Sequence, residues 1–171
     1  MDLLKSANDD NVTMKFHEAC LRGDLDEITN LLQRKEDIHV KQLDKNHTLE
    51  STVKNGYLEI VKILLKIGVN VNQKESLMGI RPLHCACAIE GNLAIAEILL
   101  ENGADIDAIL KVIYRSPLHV AVSKRNTSIV KLLWKNGCKT HVRDFEGMTA
   151  LEMAMKERYI DIVKLLAFHN K

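Results

Sequence analysis

The sequence predicts an all-α solenoid of helix-turn-helix units joined by short β-hairpin-like fingers. Three observations predict it. A phrase made of an apolar residue, often a histidine, and then small residues starts at residues 16, 49, 83, 118 and 151, a period of about 33 to 35 residues. In the second half of each unit, apolar residues fall at i, i+1, i+3 and i+4 with charged residues between them, the spacing of one helical face. Glycine then follows the stripe at Gly68, Gly103 and Gly137, where a left-handed residue ends a helix at no steric cost.

The elements follow in order within the unit. The copies Phe16-His17-Glu18-Ala19-Cys20, Leu49-Glu50-Ser51-Thr52-Val53, Leu83-His84-Cys85-Ala86-Cys87, Leu118-His119-Val120-Ala121-Val122 and Leu151-Glu152-Met153-Ala154-Met155 form the inner helices. Pro82 and Pro117 stand where a first turn needs no backbone donor. Ala19, Ala86, Ala121 and Ala154 are the small residues at which neighbouring units approach. The outer helices carry Ile28 to Leu32, Ile60 to Leu65, Ile95 to Leu100, Ile129 to Leu133 and Ile162 to Leu166. The polar stretches that follow, such as Ala104-Asp105-Ile106-Asp107, suit extended fingers. No single unit can bury its stripe, so stability is expected to be spread along the stack.

Composition limits the function. The 171 residues are 46% apolar and 27% charged, a globular profile. With 24 basic against 23 acidic residues, the chain lacks the electrostatic footprint of a nucleic-acid or anionic-membrane binder. No apolar run reaches the roughly 18 residues of a membrane span, and the N-terminus lacks a secretory layout. A soluble chain of the cytoplasm, and also of the nucleus, is expected. Cys20, Cys85, Cys87 and Cys138 form no CxxC pair and read as reduced structural thiols.

Catalysis and cofactors are not expected. His17, His84 and His119 recur at one repeat position, about 10 Å apart in a stack, too far to share a metal or a reacting atom. They read as structural rather than ligating. No phosphate loop, GxSxG, HExxH or cysteine-base pair is present. Lys62, Lys131 and Lys164 share their helices with Glu59, Glu97 and Asp161, a mixed solvated face.

With Arg81-Pro82-Leu83-His84, Ser116-Pro117-Leu118-His119 and Thr149-Ala150-Leu151-Glu152 in register, the chain resembles the ankyrin-repeat family, whose unit carries a Thr-Pro-Leu-His phrase. The reading is a lead or partial cap over 1–12 and one repeat domain over 13–171, with repeats near 13–46, 47–79, 80–114, 115–147 and 148–171. Several positions depart from the pattern. Repeat two has Glu50 in place of the histidine, which is expected to loosen that end. Arg125 and Arg158 occupy the places of the interhelix glycines Gly23 and Gly56, so strained or altered turns are expected. Repeat three carries an extra residue in Ala88-Ile89-Glu90-Gly91.

The resemblance implies a monomeric module that binds another protein on a concave face of inner helices and finger tips. On the inner helices and their turns the non-repeated candidates are Leu21, Arg22, Lys54, Asn55, Ile89, Glu90, Ser123, Lys124, Lys156 and Glu157. On the fingers they are Asp44, Lys45, Met78, Ile109, Leu110, Ile113, Tyr114, Asp144 and Phe145. The finger 109–114 is unusually apolar and is either an interface anchor or packing against repeat three. Trp134, at the end of an outer stripe, is expected to be partly buried. Two roles fit: a scaffold or adaptor, or an inhibitor masking a signalling partner, as ankyrin stacks do with Rel-type transcription factors and cyclin-dependent kinases.

Overall fold

Helix boundaries in this chain fall where proline, capping side chains and glycine place them. The structure is a computed structural model; it describes residues 2–34, 38–45, 47–74 and 78–167, with backbone alone for 2–10 and 45. Among the described residues there are eleven helices and no strand. The chain divides into two compact units, Met1–Gln73 and Lys74–Lys171. The boundary between the units falls in the finger between repeats two and three.

The first unit holds α1 (Asp2–Arg22), α2 (Leu25–Gln33), α3 (Val40–Lys45), α4 (Thr48–Lys54) and α5 (Leu58–Lys66). α1 packs on α2 and on α4, and α4 packs on α5. Phe16, Ala19, Ile28, Leu49 and Leu64 are fully buried between them. Asp24 opens α2 by accepting the Glu27 N–H at 3.0 Å.

Two features differ from the sequence reading. The segment read as a lead or partial cap over 1–12 is helical from Asp2 onward and continuous with the first inner helix, because no proline or glycine interrupts α1 before Gly23. The joint between repeats one and two is the short helix α3 rather than a hairpin-like finger. Leu43 is fully buried there, and the His39 N–H is held by Thr13 Oγ1 at 3.0 Å. An apolar anchor within a stretch free of glycine favours a helical turn over a hairpin.

The second unit holds α6 (Pro82–Ala88), α7 (Leu93–Glu101), α8 (Pro117–Ser123), α9 (Thr127–Lys135), α10 (Ala150–Lys156) and α11 (Ile160–Ala167). Residues 168–171, read from the sequence as the end of the last helix, lie outside the described residues. α8 packs against both α6 and α10, while α9 packs against α7 and α11. Ala86, Ala121 and Ala154 are fully buried, as close approach of the inner helices requires. Leu99, Ile129, Leu133 and Ile162 fill the space toward the outer helices, each buried aliphatic side chain contributing about 1.5–3 kcal/mol. Pro82 and Pro117 sit in the first turns as expected. Thr149 and Glu152 form a reciprocal capping box at α10, with bonds of 3.2 and 2.7 Å. Trp134 is half-buried.

The interhelix turns confirm the expected strain. Arg125 and Arg158 adopt φ of 53° and 59°, where the first-unit turns use Gly23 and Gly56 at 76° and 75°. A side chain in that region costs roughly 1 kcal/mol. Arg125 recovers part of it by stacking its guanidinium 5.3 Å from the Tyr159 ring centre. In repeat three the extra residue is absorbed by an extended Ile89 (φ −117°, ψ 125°).

Candidate protein-binding surface

His84 and His119 each fix a finger to the inner helix before it. His84 Nδ1 accepts the Arg81 N–H at 3.3 Å, so Nε2–H donates to the Ala108 carbonyl at 3.0 Å. His119 repeats the arrangement, Nδ1 facing Ser116 and Nε2–H donating to the Met148 carbonyl at 3.2 Å. Burial pushes His84 down to about 4, and it also lowers His119, so both are neutral donors at pH 7. In repeat two Glu50 stands at the histidine's place. Glu50 is fully buried and accepts the Gln73 Nε2–H at 2.6 Å, so a carboxylate and an amide tie the finger down instead.

Successive fingers of the second unit join through their backbones. Lys111 N–H donates to the Met78 carbonyl at 2.9 Å, and Phe145 N–H to the Ile113 carbonyl at 3.1 Å. Tyr114, at φ 51°, closes its finger with an N–H donated to the Leu110 carbonyl. The next finger is organised by Asp144, whose Oδ1 accepts the N–H groups of Glu146 and Met148 at 2.9 and 3.1 Å. Its other oxygen accepts Arg115 Nε–H at 3.2 Å. Burial alone would raise the Asp144 carboxyl, but these donors together hold it below its ordinary value. Arg115 also reaches Glu146 at 3.8 Å, and its guanidinium lies 6.0 Å from the Phe145 ring centre.

The candidate contact residues sort by exposure. Leu110 is only 7% exposed and Asp144 only 5%, so both are withdrawn as contact residues. Leu110 is packing, and Asp144 is the hydrogen-bond centre of its turn. Within the apolar finger 109–114 the side chains divide by exposure. Leu110 packs inward, while Val112 (61%) and Tyr114 (57%) face solvent. Ile113 is half-buried, and Met78 and Ile109 lie at the margin of exposure. Phe145 is 58% exposed.

On the inner-helix side, Glu90, Lys124, Lys156 and Glu157 are exposed, and Ile89 and Ser123 are half-buried. A groove of about 240 Å³ brings Ser123, Lys156 and Glu157 together with Arg115, Glu146 and Tyr159. Glu90 and Lys124 border a separate depression between the interhelix turns of repeats three and four. In the first unit Leu21, Arg22, Lys54 and Asn55 are exposed. Asp44 is half-buried and accepts the Asn70 N–H at 3.0 Å. The side chain of Lys45 lies outside the described residues.

The sequence reading did not single out Arg115, the ion-pair centre of this surface. Its partner Asp144 is a full finger away, so no local spacing signals the pair. Cys20, Cys85, Cys87 and Cys138 are free and buried. Desolvation raises Cys20 to about 12 and Cys138 to about 11, which leaves them protonated and unreactive. Among the described residues no cluster of metal-ligating side chains forms, and no helix is long and apolar enough to cross a membrane.

Residues 16–109 and 110–171 match the family pattern described as ankyrin repeats (3 copies). Fowlpox virus (strain NVSL) ankyrin repeat protein FPV031 is 32% identical over 73% of this chain and 37% of its own length. Mouse (Mus musculus) ankyrin repeat and SOCS box protein 11 is 30% identical over 69% of this chain and 35% of its own length. The chicken (Gallus gallus) nuclear factor NF-kappa-B p105 subunit is 28% identical over 91% of this chain and 17% of its own length. The chain therefore spans about a third or less of these relatives.

Proposed function

The chain belongs to the ankyrin-repeat family, whose repeats are protein-interaction modules, and from that premise we propose that it acts as a scaffold or adaptor. Its partner is gripped by the finger tips and inner-helix ends of the second unit. The observation that carries this reading is the exposure of Val112, Tyr114 and Phe145 on two joined fingers. Large apolar side chains held in water on ordered turns are typical of contact surfaces. The role is binding rather than catalysis, by a chain of the cytoplasm or nucleus whose thiols stay reduced.

The relatives' much greater length, and the SOCS box in the name of one of them, favour the adaptor. An inhibitor that masks a signalling partner is kept as the second reading because similarity to the NF-kappa-B p105 subunit extends over 91% of the chain. Affinity capture from matched lysate, with the intact chain and the double variant Ile113→Asp/Tyr114→Ser, tests the surface. A partner kept by the first and lost by the second supports it, provided both fold alike. Equal capture moves the contact to the inner-helix ends. Adding a third protein known to bind that partner separates the two roles: an adaptor yields a ternary complex, whereas an inhibitor displaces the third protein.

A further inference from the structure

We infer that Val112, Tyr114 and Phe145 form a platform for an uncharged, apolar segment of a partner polypeptide, an inference that rests on the protein-binding reading above. Tyr114 stands three residues before Pro117, the place that Gly79 holds before Pro82 and Gly147 before Ala150. The two glycines have φ of 73° and 77°, and Tyr114 is held at 51°. A side chain there is strained where glycine is not. A Cβ placed on Gly147 meets no atom within 4 Å, whereas one on Gly79 meets the following finger at Lys111 Cγ and the Ile109 carbonyl, 3.5 and 3.7 Å away; Tyr114, which also has a finger after it, nevertheless stays 57% exposed. Strain retained for an exposed aromatic ring points to use rather than to folding.

The register supplies the second ring. A Cβ on Gly79 would lie 3.5 Å from Lys111 Cγ, the residue whose N–H binds the Met78 carbonyl. In the next finger the homologous bond comes from Phe145 to the Ile113 carbonyl, which brings the Phe145 backbone to the residue before Tyr114. The charges around the pair are already matched within the chain. Arg115 faces Asp144 and Glu146 at 3.2 and 3.8 Å, and Glu146 faces Lys156 at 3.0 Å. Among the described residues Lys111 adds a solvated cation at the margin, a weak attractor in water. A charged segment would have to compete with those pairs, whereas an apolar one gains the full area of two rings and a valine.

The test selects random peptides displayed on phage against the intact chain. Affinities of the selected peptides are then measured for the parent, Tyr114→Gly and Phe145→Ser, at low and high sodium chloride. The expected peptides share an apolar core without a fixed charge. They bind roughly tenfold or more weakly to Tyr114→Gly, and their affinity changes less than about twofold with salt. Tyr114→Gly itself should melt a few degrees higher than the parent. Loss of binding with a gain in stability separates a contact role from a packing role.

A lower melting temperature with binding retained overturns the inference. So does a charged consensus with salt-sensitive affinity, or self-association of the chain that Tyr114→Gly abolishes. Peptides insensitive to Tyr114→Gly but lost on Lys124→Glu or Lys156→Glu sink the platform while leaving the protein-binding reading intact. Selection of no peptide on any face counts against both.

Discussion

Two kinds of residue carry unusual conditions in this protein, the neutral histidines and the left-handed arginines. His84 titrates near 4 when folded and at 6.5 when unfolded, because burial disfavours its charged form. Between those values the unfolded chain binds a proton that the folded chain refuses. Stability is therefore full above pH 6.5 and falls as pH drops toward 4, by a total on the order of 3 kcal/mol. Urea midpoints measured across that window should show the slope, and His84→Gln, which keeps a donor but cannot titrate, should reduce it, the lowered His119 leaving a remainder of the same sign. The arginines give a paired comparison. Arg158→Gly relieves a positive φ and should stabilise by about 0.5–1 kcal/mol. Arg125→Gly gives up its stack on Tyr159 as well and should come out close to neutral, the two contributions being of similar size. Thermal melts of both variants decide the matter, and equal gains would mean that the stack contributes nothing.

At the scale of elements, what the sequence made legible was the periodic part. Helix pairs, proline starts and glycine ends depend on local spacing, and they fall where the pattern placed them. The joints are less legible. α3 replaces a finger because Leu43 found a buried place, and α1 runs back to Asp2 because nothing stops it. Both outcomes depend on neighbours or on missing signals rather than on a motif. The same limit explains Leu110 and Asp144. The finger sequence announces an apolar, variable stretch, but which side chain turns inward depends on its hydrogen bonds across to other residues. Glu50 is the clearest case, since an acidic residue in a helix start gives no hint that Gln73 will meet it in the interior. Glu50→Ala should cost about 1–3 kcal/mol by stranding the Gln73 amide, whereas Thr149→Ala, which removes an exposed cap at α10, should cost about 1 kcal/mol. Chemical denaturation ranks the two, and a negligible loss at Glu50 would contradict its bracing role.

For the molecule as a whole, the division into Met1–Gln73 and Lys74–Lys171 predicts where damage is felt first. Repeat stacks gain stability from neighbouring contacts, so a cavity is felt most by the units that touch it. Leu133 is fully buried in α9, which packs on α7, α8 and α11. Leu133→Ala should cost about 2–5 kcal/mol and should lower hydrogen-exchange protection first in residues 78–167. Leu64→Ala, in the first unit, should do so first in residues 11–73. Uniform loss from either variant would mean that the two units open as one.

The buried cysteines turn this division into something that can be read without a probe being added to the chain. Their thiols are shielded from solvent, and burial holds those of Cys20, Cys87 and Cys138 protonated, so an alkylating reagent modifies them when the surrounding helices part. Cys20 belongs to the first unit, and Cys85, Cys87 and Cys138 belong to the second. Each alkylation rate is therefore a clock for one half of the molecule. Followed by mass spectrometry, two separate clocks would mark independent opening, and a partner seated on the fingers of the second unit should slow the modification of its three cysteines while leaving Cys20 to run at its own pace.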